Sequence, residues 1–178
     1  MVIKRIFSAK LFCVCCLMFI VFNVSANNIT VRNNYGLIDL LKYVNTLQGT
    51  NSDPDYSSGN IYPAIALPFG MNFWSPQTGK DGNGWKYQYK ANSIRGFGET
   101  HQCSPWMNDY GVFTLMPETK QLEVDENKRA SMFSHQNEVA KPNYYKVKFD
   151  NGITTVIAPS VRGAHFRFSF PRGQKAYL

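Results

Sequence analysis

Cysteine is nearly missing from this chain. The 178 residues hold four, and three of them, Cys13, Cys15 and Cys16, share one apolar run near the N terminus. Beyond that run only Cys103 remains. One cysteine makes no internal disulfide, which excludes a disulfide-stapled miniprotein. Long apolar runs are scarce too. "LFCVCCLMFIVF", Leu11–Phe22, is twelve residues long, whereas a membrane-crossing helix needs roughly 20. Clustered basic charge is also lacking. Lys and Arg are dispersed after residue 80 and form no block, so nucleic-acid binding has little support.

The apolar run does have a role. Lys4, Arg5 and Lys10 flank it on one side, and Val24-Ser25-Ala26 offers small or branched residues on the other. A charged start, a short apolar stretch and a small-residue cut site describe a secretory signal peptide. Residues 1–26 are therefore read as a cleaved leader, with export to the periplasm or medium and no membrane span afterwards. Removing its three basic residues from 19 leaves 16 against 12 acids, a modest net charge of +4.

Aromatics are plentiful in what remains: 13 Phe, 10 Tyr and 3 Trp over the whole chain. Such side chains bury large areas and favour strands. Residues 27–40 form a lead-in. "GLIDLLKYVNTLQ" has a weak helical period through Leu37, Leu40, Leu41 and Val44. "GTNSDPDYSSGN" is dense in turn formers. "IYPAIALPFGMNFW" predicts a short buried strand or two with Pro63 and Pro68 at the edges, and "SPQTGKDGNG" a loop. "WKYQYKA" alternates Trp85, Tyr87 and Tyr89 and predicts a half-buried strand.

The second half alternates more regularly. "YYKVKF" puts Tyr145, Val147 and Phe149 on one face and Lys146 and Lys148 on the other. Asp150-Asn151-Gly152 turns the chain, because Asn-Gly accepts positive φ. Ile153–Ala158 returns, and "AHFRFSF" alternates through Phe166, Phe168 and Phe170. The fold expected is all-β: antiparallel strands in an incomplete β-sandwich, one domain over residues 41–178. "GQKAYL" restarts an apolar pattern at Ala176 and reads as a strand just begun, so the chain resembles a piece of something longer. In that case "AHFRFSF" keeps an open edge.

One segment is chemically dense. "GFGETHQCSPWMNDYG", Gly96–Gly111, crowds Glu, His, Cys, Trp, Asn, Asp and Tyr between glycines. Taken in order with "YVNTLQGT", "NIYPAIALPFGM", "GWKYQY", "MPE" and "FSHQNEVAKPNYYKVKF", it resembles the N-terminal domain of glycoside hydrolase family 92. The resemblance covers roughly Leu41 to Leu178. Members of that family are exported, calcium-dependent exo-α-mannosidases that release terminal mannose from glycans with inversion. The resemblance implies an N-terminal sandwich packed on a C-terminal α/α barrel. That barrel supplies the acid, the base and the Ca2+ ligands. Thr46, Ala64, Cys103 and Asn108 depart from the usual family pattern.

The resemblance makes the dense segment a wall of the mannose pocket. A sugar offers hydroxyls around an apolar ring, so it suits aromatic faces set beside polar groups. Trp85, His101, Trp106 and Asp109 are the expected substrate contacts. Each keeps an alternative: core packing for Trp85, a turn hydrogen bond for His101, packing on the barrel for Trp106, and a turn-forming bond to its own backbone for Asp109. Gly96, Gly98 and Gly111 would let the backbone approach a ligand. No residue of the chain is expected to be catalytic, Glu99 included, and none a metal ligand. Asp53, Asp55 and Asn60 match no calcium-loop spacing. His135 and Glu138 match a family motif assigned to domain architecture. The competing readings are a non-catalytic glycan-binding module and an inactive remnant.

Overall fold

The computed structural model of the chain describes residues 40–51, 61–67, 70–79, 86–100 and 111–178. The leader, most of the lead-in, Asp53, Asp55, Asn60, Trp85, His101, Cys103, Trp106 and Asp109 lie outside the described residues. Among those described, no helix is long and apolar enough to cross a membrane. The helical period of the first segment yields a single 3₁₀ turn, Leu40–Tyr43, and both of those residues are exposed.

Everything else regular among the described residues is antiparallel strand. Ten strands follow in chain order: β1 Phe73–Gln77, β2 Ser93–Ile94, β3 Gly96–Thr100, β4 Gly111–Leu115, β5 Glu118–Thr119, β6 Ser131–Lys141, β7 Tyr144–Phe149, β8 Thr154–Pro159, β9 Ala164–Ser169 and β10 Ala176–Tyr177. They form a three-stranded sheet β1-β3-β4, a five-stranded sheet β2-β6-β7-β8-β9 and a short β10-β5 pair.

The two larger sheets face each other across one core. Ile65, Trp74, Ile94, Phe97, Met116 and Phe133 meet Tyr145, Val147, Phe149, Ile153 and Ile157 there. Phe97 of β3 lies edge-on to Tyr145 of β7 at 6.0 Å and tilted to Phe149 at 6.1 Å. The chain is thus all-β, with two antiparallel sheets packed face to face.

The meander β7-β8-β9 follows the alternation of its sequence. Tyr145, Val147 and Phe149 are buried, while Lys146 and Lys148 are exposed. Gly152 turns the chain with a φ of 87°. β9 is an edge strand, with Phe166 and Phe168 half-buried. β10 begins at Ala176, as the pattern predicts, and pairs with β5.

Three expectations from the sequence are corrected. The first is "SPQTGKDGNG" as a loop: Ser75-Pro76-Gln77 continues β1 instead. Pro76 is tolerated because β1 is the edge of its sheet, where a missing N–H breaks no ladder. The second is "WKYQYKA". Residues 86–90 form no strand, and Lys86 and Tyr87 are both buried while Tyr89 is exposed. The third concerns the dense segment, whose first five residues are strand β3. There close strand packing itself requires a glycine at Gly96. A Cβ on it would stand 2.1 Å from Thr114 Cγ2 on β4.

Candidate functional site

β3 ends at Thr100 and β4 begins at Gly111, and the two pair antiparallel with a register shift between Gly98 and Thr100. Residues 101–110, which hold His101, Trp106 and Asp109, connect these strands along the chain. Trp85 directly precedes Lys86. The described structure therefore fixes what flanks each expected sugar contact, and none of the four contacts itself.

Glu99 is the one carboxylate of the dense segment within the described residues. Its Oε1 accepts a hydrogen bond from Nδ2 of Asn72. This bond ties β3 to the start of β1.

The strongest cluster of titratable groups lies on the other sheet. Between the pairs Phe133↔Phe149 and Glu138↔Val147, β6 carries Ser134–Asn137 against Lys148 alone on β7. The extra residues make a wide bulge. It turns His135 and Glu138 towards the core side. The Glu138 side chain is fully buried and that of His135 is 28% exposed.

Three side chains surround the Glu138 carboxylate. The Tyr145 hydroxyl donates to Oε1 at 2.6 Å. The Tyr87 hydroxyl lies 3.0 and 2.9 Å from the two oxygens. His135 Nδ1 stands 2.7 Å from Oε2. The other ring nitrogen of His135 is 2.8 Å from the Tyr89 carbonyl oxygen, which can only accept. That nitrogen therefore carries hydrogen. Tyr89 then covers the imidazole, stacked at 4.0 Å and 9°.

Such a buried carboxylate is stable only because its acceptor sites are filled. It acts in turn on the phenols. Burial first, then the Glu138 charge and hydrogen bond, push the Tyr87 and Tyr145 hydroxyls far above the ordinary tyrosine value. Both stay protonated as donors. The sequence reading placed His135 and Glu138 in domain architecture but missed Tyr87 and Tyr145 as their partners. The signal was present as a carboxylate three residues after a histidine, on a strand leading into apolar Val139-Ala140.

No group of three His, Cys, Asp or Glu converges among the described residues. Glu99 is bonded to Asn72, Glu118 accepts the Glu123 amide, Asp125 accepts the amides of Asn127 and Lys128, and Glu138 is enclosed by donors.

The facing sheets define an all-β sandwich domain of the kind carried by glycosidases that resemble this chain. The model of the glycosyl hydrolase family 92 N-terminal domain matches residues 43–178. A solved family GH92 inverting mannosidase of Bacteroides thetaiotaomicron shares 48% identity with a TM-score of 0.73, covering 79% of this chain and 19% of that one. A GH92 α-mannosidase from the same species shares 31% identity with a TM-score of 0.66, covering 75% of this chain and 19% of that one. It has also been solved with mannoimidazole. A secreted glycosidase of Arthroderma benhamiae is 27% identical over 141 residues, 75% of this chain and 18% of its own length. This chain belongs to glycosyl hydrolase family 92 and corresponds to its N-terminal domain. It spans about a fifth of the length of these relatives.

Proposed function

We propose that the chain is the N-terminal sandwich of an exported glycosidase that releases terminal α-linked mannose from glycans. The observation that carries this reading is the match to an inverting mannosidase at 48% identity over most of the chain. In this role the sandwich walls the mannose pocket. Trp85 and Trp106 supply apolar faces for the sugar ring, and His101 and Asp109 supply hydrogen-bonding groups. Inversion needs an acid on the leaving oxygen and a base on a water, with carboxyls roughly 6.5–9.5 Å apart. Glu99 and Glu138 are engaged in holding the fold, and this reading gives the acid, the base and Ca2+ to a C-terminal α/α barrel. Export fits a leader cut before Asn27, and mass spectrometry of the exported chain checks that terminus.

A chimera tests the reading. Residues 43–178 replace the matching domain of the Bacteroides inverting mannosidase, and α-mannoside hydrolysis is followed. Retained hydrolysis supports it, with loss on Trp106→Ala or Asp109→Ala. A folded chimera that binds mannose but releases none would favour a glycan-binding module instead.

A further inference from the structure

Lysines and arginines that lie dispersed along the sequence are gathered by strand register. Residues 131–178 hold seven of them against two acids, Glu138 and Asp150. Residues 27–130 hold nine against ten. The positive excess therefore belongs to β6–β10 and their turns. Directly paired residues of an antiparallel sheet share one face. Val139 of β6 pairs with Lys146 of β7, Lys146 with Val156 of β8, and Val156 with Arg167 of β9. Lys141, Lys148 and His165 each stand two residues from a member of this row, which puts them on the same face. Lys146, Lys148, His165 and Arg167 are exposed. Val156 lies outside the core cluster yet is only 8% exposed, as expected where long basic side chains lay their stems over a neighbour. Of the two acids, the Glu138 side chain is fully buried, and Asp150 stands at the turn where β7 ends.

We propose that this outer face of the five-stranded sheet docks a polyanionic polysaccharide, whose repeating carboxylate or sulfate groups meet Lys141, Lys146, Lys148 and Arg167. The complement is one of charge. Basic groups two apart on a strand stand about 6.6 Å apart, and those on adjacent strands about 4.8 Å, spacings comparable to one sugar ring. A sheet face offers no hollow for a small molecule and suits a chain lying along it. Protein partners anchor on exposed aromatics at an apolar centre. Docking at a membrane surface sets Trp, Phe or Leu beside the basic residues. Here the middle of the row is Val156, and the aromatic paired with Lys141, Tyr144, is half-buried. The choice of a glycan rests on the mannosidase reading, whereas the negative charge of the partner does not.

The full chain is titrated with heparin and with polygalacturonate at low and at physiological salt. Both are expected to bind, and to weaken steeply as salt rises. Lys146→Glu with Arg167→Glu should lower the affinity for both by at least about tenfold. Lys120→Glu with Lys128→Glu makes the same change in net charge at exposed residues outside these rows. That control should lower affinity by less than about threefold, because salt screens distant charges. Melts of both variants check folding, and Lys146→Gln with Arg167→Gln repeats the test more gently. Equal losses from the two charge reversals overturn the proposal, since net charge alone would then explain binding. So does the absence of binding to both polyanions. Tighter binding to poly-glutamate or to phosphatidylglycerol vesicles overturns it in favour of an acidic protein or a membrane. A chimera that hydrolyses α-mannosides beside a chain that ignores polyanions fails this proposal alone, and the reverse fails the mannosidase reading alone.

Discussion

Trp74 of β1 meets Phe166 of β9 edge to face at 5.1 Å. This contact joins the edge strand of one sheet to the edge strand of the other. Phe113 of β4 approaches the same indole at 5.7 Å, and Phe168 stacks on Phe166 at 5.7 Å. An aromatic row therefore closes one side of the sandwich. Fully buried phenylalanines cost about 3–5 kcal/mol on truncation, and Phe166 is half-buried. Phe166→Ala is expected to cost about 1–3 kcal/mol in urea unfolding, with Phe168→Ala costing less. Equal losses from the two would mean that the Trp74 contact contributes nothing of its own.

The buried phenols predict an alkaline limit to stability. In the folded chain Tyr87 and Tyr145 hold their protons well above the ordinary value of 10.0. An unfolded tyrosine loses its proton near that value, so unfolding above it releases protons. Stability from this source is complete below about pH 10 and is lost as pH rises further. The loss amounts to about 1.4 kcal/mol per pH unit for each tyrosine, or about 2.7 for both. Urea melts should show stability level near about pH 9 and falling towards that slope above about pH 10. The double variant Tyr87→Phe, Tyr145→Phe should flatten it. An identical slope in parent and variant would place the alkaline sensitivity elsewhere.

The parts of the fold written in strict alternation were legible. Tyr145, Val147 and Phe149 face a core on one side only, and the Asn151-Gly152 turn fixes the register of β7 against β8. Other parts depend on partners distant in the chain. Tyr87 alternates with Tyr89 in sequence, yet Tyr87 is bonded to a carboxylate 51 residues away and the segment never joins a sheet. Pro76 hides β1, because only its edge position makes proline harmless. The β6 bulge has no local signature, since its extra residues are polar like those of any exposed strand. The expected sugar contacts Trp85, His101, Trp106 and Asp109 lie outside the described residues, while the buried cluster was legible only as His135 and Glu138 without their tyrosines.

Gly96 gives a test of the close packing of β3 on β4. A methyl at Gly96 would collide with Cγ2 of Thr114 and come within 3.2 Å of the Leu115 carbonyl oxygen. Threonine is stiff at χ1, so its methyl yields poorly. Gly96→Ala is expected to cost about 1–3 kcal/mol by chemical denaturation. Adding Thr114→Ser removes the methyl and should return most of that loss. No recovery in the double variant would show that the Leu115 carbonyl, and not the threonine, limits the site.

Glu99 offers the sharpest test of where the chemistry resides. It is the carboxylate in the dense segment that most invites the role of general acid, two residues from His101. The structure gives its Oε1 a different employment, accepting from Asn72 at the junction of β1 and β3. A general acid or base contributes roughly 10²–10⁴-fold to turnover. A structural acceptor contributes far less, because glutamine keeps one oxygen in the same place. In the active chimera, Glu99→Gln is therefore expected to leave kcat for an α-mannoside within about threefold of the parent. The hydrogen bond to Asn72 predicts a small cost instead, about 0.5–1.5 kcal/mol of stability, visible in a melt of the same variant. A fall in kcat of a hundredfold or so, with the melt unchanged, would make Glu99 part of the catalytic machinery.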